Sequence, residues 1–69
     1  MKGLLVLYDG FEDCEALVTR ALLNHIDLPL TNATLNSQLE VMSSSGLCVK
    51  ANANLSTINH LEYDFLVIP

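Results

Sequence analysis

The chain is 69 residues long, carries eight acidic side chains against three basic ones, and is 51% hydrophobic, with a formal charge of −5. Three scattered cations give no electrostatic footprint for nucleic acid or an anionic membrane surface, and no apolar run approaches the roughly 20 residues of a membrane span. Two cysteines, Cys14 and Cys48, lack metal-ligand or CxxC spacing and read as reduced thiols of a cytoplasmic protein, with no metal expected.

Leu4-Leu5-Val6-Leu7-Tyr8 is an unbroken apolar run, the pattern of a strand buried on both faces. Asp9-Gly10 breaks it. From Cys14 the apolar positions 14, 17, 18, 21 and 22 follow the i, i+3, i+4, i+7, i+8 spacing of an amphipathic helix. That stripe is the expected core face, with Cys14 on it as a small buried hydrophobe. Asp9 and Glu12 have capping-box spacing, and Glu12, Asp13 and Glu15 put negative charge at the positive end of the helix dipole. The helix is expected to stop near His25, because Pro29 pushes Leu28 towards extended geometry.

Leu30 to Leu35 reads as a weaker strand, and Asn36-Ser37 as a turn. Leu39-Glu40-Val41-Met42 and Leu47-Cys48-Val49-Lys50 both alternate around Ser43-Ser44-Ser45-Gly46, which predicts a β-hairpin with one buried face and Cys48 turned away from Leu47 and Val49. Ala51 to His60 is polar and asparagine-rich, a loop with a short helical turn. Asp64-Phe65-Leu66-Val67-Ile68 repeats the first pattern as a second strand buried on both faces. His25 and His60 have no evident partner and read as surface residues.

Two apolar strands bracketing a helix imply a parallel sheet, which needs a layer on each face. A single amphipathic helix covers one. Burial is worth roughly 100 kcal/mol for a chain of this mass, and ordering costs about the same. The expectation is therefore the N-terminal portion of a doubly wound α/β domain, incomplete without downstream residues. In such sheets ligands bind beyond the carboxyl ends of the strands.

Three blocks of the chain resemble one family. Asp9-Gly10-Phe11-Glu12-Asp13-Cys14-Glu15-Ala16, after its strand, resembles the D-G-F-E-x-x-E-A opening of the ThiJ/PfpI superfamily, that of the Parkinsonism-associated deglycase. Val41 to Ala51 resembles its V-x-x-S-x-G-x-x-V-x-A hairpin, and Tyr63 to Pro69 its Y-D-x-x-V-x-P strand. The resemblance implies a flavodoxin-like doubly wound sandwich and cofactor-free, cysteine-dependent chemistry on a small reactive carbonyl compound, of glyoxalase or deglycase type, or a related stress-response hydrolase. It assigns the catalytic carboxyl to Glu15, which would hydrogen-bond a nucleophilic cysteine supplied further downstream. Glu15 also lies at the rim of the apolar stripe near the helix start, where partial burial and the helix dipole oppose each other. Cys14 is not the family's nucleophile.

The resemblance further implies a homodimer through the first helix and the hairpin. The chain departs from the family pattern at Thr19-Arg20-Ala21, where P-x-D is common, at Asp27, where a glycine usually ends the helix, and at Ser45, where some members carry a larger polar residue. The alternative reading is a non-enzymatic dimerisation or assembly module, or a redox-sensing or chaperone member of the family. A phosphoryl-accepting receiver domain fits poorly, because Asp64 begins its strand rather than ending it. A dinucleotide-binding fold lacks the required G-x-G-x-x-G.

Overall fold

In the computed structural model, which describes all 69 residues, the apolar run after Lys2 forms β1 (Gly3–Leu7), buried at every position. It is buried because it becomes a central strand. β2 (Leu30–Thr34) pairs parallel with it on one side, Gly3 opposite Leu30, and β6 (Phe65–Val67) on the other, Gly3 opposite Phe65. A two-residue strand that the sequence pattern does not show, β5 (Ala53–Asn54), adds parallel to β2. The sheet order is β5-β2-β1-β6. β3 (Glu40–Met42) and β4 (Cys48–Lys50) form the expected antiparallel hairpin, with Val41 opposite Val49.

Each face of the sheet has its own core. Leu5, Leu7 and Leu30 pack with Phe11, Ala16, Val41 and Ala51, the layer built by the helix and hairpin. Leu4, Val6 and Ala33 point the other way and meet Leu55, Ile58 and Tyr63. The second layer is thus the 3₁₀ turns Leu55–Thr57 and His60–Glu62 and their surroundings; the first of them is the short helical turn expected within the loop Ala51 to His60. It covers β1 and β2 but leaves β6 half bare. Leu66, level with Leu4, is 58% exposed, so β6 is an edge strand here, not one enclosed on both faces.

The helix spans the expected stretch but presents a different face. Its first turn is π-helical (Cys14–Val18), and α1 (Thr19–His25) continues it. Ala16 is fully buried and Leu23 packs against the core, while Leu17, Val18 and Leu22 are exposed. At 100° per residue, positions 16, 19 and 23 lie opposite the stripe 14, 17, 18, 21, 22. The apolar stripe therefore points outward, away from the sheet. A sheet covered at close range takes small residues on the helix, which is why Ala16 rather than a leucine sits there. Helix termination follows expectation: Asp27 adopts the left-handed conformation, φ 62°, which an aspartate tolerates better than most residues.

Candidate functional site

The strand order reverses once. From β1 the chain moves out to β2 and β5, then returns to place β6 on the opposite flank of β1. At such a reversal the loops leaving the carboxyl ends of the two central strands diverge to opposite faces and open a crevice. Here the two ends are tied together, the Tyr8 hydroxyl donating to the Pro69 carbonyl. The loop leaving β1 runs directly into the helix that carries Glu15.

Glu15 stands in the first turn of that helix, where its charge favours the dipole. Its backbone N–H donates to the Glu12 carboxylate, 2.7 Å away. Glu12 therefore caps the helix start, whereas Asp9, the expected capping partner, is engaged elsewhere. Glu15 is exposed rather than at the rim of a buried stripe, because that stripe itself faces outward. The same rotation exposes the Cys14 thiol, expected to be buried. Cys48 is exposed as its alternation implied, and so are His25 and His60.

Two further carboxylates brace the site. Asp13 receives the Ser45 hydroxyl at 2.7 Å and the Ser43 hydroxyl at 2.8 Å, and these bonds, Ser45 first, hold its pKa below the usual carboxylate value. Asp9 accepts from the Asn36 side-chain amide at 3.0 Å and from the Met42 backbone N–H at 3.1 Å, and both bonds likewise lower its pKa. Bonds from donors to the ionised form favour it over the protonated one. Backbone bonds from Gly10 to Met42 and from Ser44 to Phe11 close the same seam. Neither brace is visible in the sequence, since Asp13 and Ser43 lie 30 residues apart and the serine run reads as a simple hairpin connection.

Asp9 also forms one wall of a groove of about 480 Å³, shared with Asn36, Gln38, Glu40, Met42 and Cys48. The groove adjoins the ends of β1 and β2 and excludes both Glu15 and Tyr8. No three His, Cys, Asp or Glu side chains gather as metal ligands, and no helix is long and apolar enough to cross a membrane. What the β1–β6 end offers chemically is an exposed carboxyl at a helix start, on the chain that follows Tyr8 out of β1.

A model of the DJ-1/PfpI family matches residues 1–69. Among solved structures, oxidized DJ-1 from Toxoplasma gondii superposes with a TM-score of 0.91 at 28% identity, over 99% of this chain and 37% of that one. A DJ-1 superfamily protein from Agrobacterium tumefaciens gives 0.81 at 26% identity, over 100% of this chain and 37% of that one. Schizosaccharomyces pombe DJ-1, at 19% identity and a TM-score of 0.86 over 96% of this chain and 38% of that one, shares the fold. The chain therefore spans little more than a third of the length of the structures it matches. The curated proteins give no match.

Proposed function

The chain belongs to the DJ-1/PfpI family and has its flavodoxin-like α/β fold, and from that premise we propose that it forms the N-terminal part of a cytoplasmic, cofactor-free enzyme acting on small reactive carbonyl compounds. The observation that carries this reading is the place of Glu15: an accessible carboxyl on the first helical turn after β1, beside the reversal in strand order. In this reading a cysteine from polypeptide beyond Pro69 enters the crevice and Glu15 shares its proton. The thiolate adds to the carbonyl carbon, the C=O electron pair moves to oxygen, and a protein group returns a proton to that oxygen.

Two features support the remaining polypeptide and a second copy as partners. Leu66 in β6 and Ile68 just after it are exposed at the sheet edge, a surface suited to another parallel strand with its covering layer. The helix turns Leu17, Val18 and Leu22 outward, and on the hairpin Met42 and Leu47 are also exposed. These apolar groups suit a homodimer seam. The reading is tested in the full-length protein by Glu15→Gln, assayed with methylglyoxal across pH. A loss in kcat of about a hundredfold or more, with the thiol's pKa raised, is expected of a lost proton-sharing group. An unchanged pH–rate profile rejects the role.

A further inference from the structure

We propose that Asp13 is a positioning residue, which holds Glu15 in place by tying the helix start to the hairpin turn. This rests on the role given to Glu15 above, and extends it to the group that sets that side chain's location. Asp13 is the last residue before the π-helical turn and lies two positions from Glu15. Its Oδ2 receives both the Ser43 and the Ser45 hydroxyls, while Oδ1 lies 3.4 Å from the Ser44 hydroxyl.

The hairpin end of this tie is itself immobilised. Ser43 is only 4% exposed, and its Oγ accepts the Leu47 N–H at 2.9 Å, so the hydroxyl is left to donate towards Asp13. The two loops are also joined by backbone bonds on either side, Gly10 N–H to the Met42 carbonyl and Ser44 N–H to the Phe11 carbonyl. On its own side, the helix start is held by the Glu12 side chain and the Ala16-to-Glu12 backbone bond. The π-helical opening turn departs from the α-helical hydrogen-bond pattern, as single π-turns within helices do, and an external anchor contributes to its orientation. The carboxylate supplies one, because a single oxygen accepts two hydroxyls at once.

The consequence is that the hairpin turn sets the place of a carboxyl 30 residues away in sequence. The test reads Glu15 itself, by NMR of the full chain. Ser45→Ala and Asp13→Ala are expected to speed amide exchange at Glu15 and Ala16 about tenfold and to move the Glu15 carboxyl ¹³C resonance. Asp13→Asn keeps an acceptor oxygen at the same reach and should restore both signals. Exchange that rises only within Ser43–Leu47, with Glu15 unmoved, overturns the proposal. So does a Glu15 shift that Asp13→Asn fails to restore, which marks loss of charge rather than of the acceptor. Ser45 is exposed, so its alanine variant keeps the test open should Asp13→Ala not fold. These readouts need no turnover: an inert Glu15→Gln result removes the catalytic reading and leaves the tie standing.

Discussion

β1 and β6 are written in nearly the same letters, Leu4-Leu5-Val6 against Phe65-Leu66-Val67, yet they meet opposite surroundings. Leu4, Leu5 and Leu7 are each 3% exposed or less, whereas Leu66 in β6 is 58% exposed. The difference is position. β1 has a paired strand on both sides and a layer on both faces, while β6 has one neighbour and one covered face. An apolar run therefore specifies a strand that can be enclosed, and the neighbours decide whether it is.

The sharpest way to break this comparison is a matched pair of truncations. Leu5→Ala is expected to cost about 3 kcal/mol in urea unfolding, and Leu66→Ala under about 0.5 kcal/mol when β6 is uncovered. Equal costs would mean that β6 is enclosed in solution. Gly3→Ala tests the joint between the two strands, because a methyl there would overlap the Phe65 ring and the Leu30 side chain. A loss of about 1–3 kcal/mol is expected, relieved by pairing it with Phe65→Leu, as thermal melts would show.

A smaller effect distinguishes the two faces of the helix. Leu22→Glu should leave unfolding of the monomer within about 0.5 kcal/mol of the parent, since Leu22 is exposed. It should nonetheless weaken self-association at least about tenfold by analytical ultracentrifugation if that stripe forms the dimer seam. The smallest effect concerns acid. Asp13 and Asp9 have folded-state pKa values below the ordinary 3.8, so the stability they add is present above that value and drains away as pH falls through the lower one. Asp13→Asn should therefore lower stability slightly at pH 7, where that contribution is fully present, and flatten the fall below about pH 4, where the parent loses it as well.

Local patterns were legible where one neighbourhood decides the outcome. β1, the hairpin, the helix limits and the left-handed Asp27 all follow from spacing, turn residues and the proline at 29. The orientation of the helix was not legible, because its outward stripe carries larger apolar residues than its sheet-facing side. Periodicity reports an apolar face without saying what covers it. β5 escaped notice because two residues, Ala53-Asn54, carry no period at all. At the site, Glu15 was found through resemblance, but its exposure and the braces at Asp13 and Asp9 depend on contacts across about 30 residues.

The place of β1 between β2 and β6 has a kinetic consequence. Gly3 pairs with Phe65, so β1 waits for more than 60 further residues of synthesis before its second flank closes. Early folding can use only β1, the helix and β2, a local unit with one open side. Non-local pairings of this kind slow folding, and a half-flanked apolar strand is the species on which chaperones and aggregation compete.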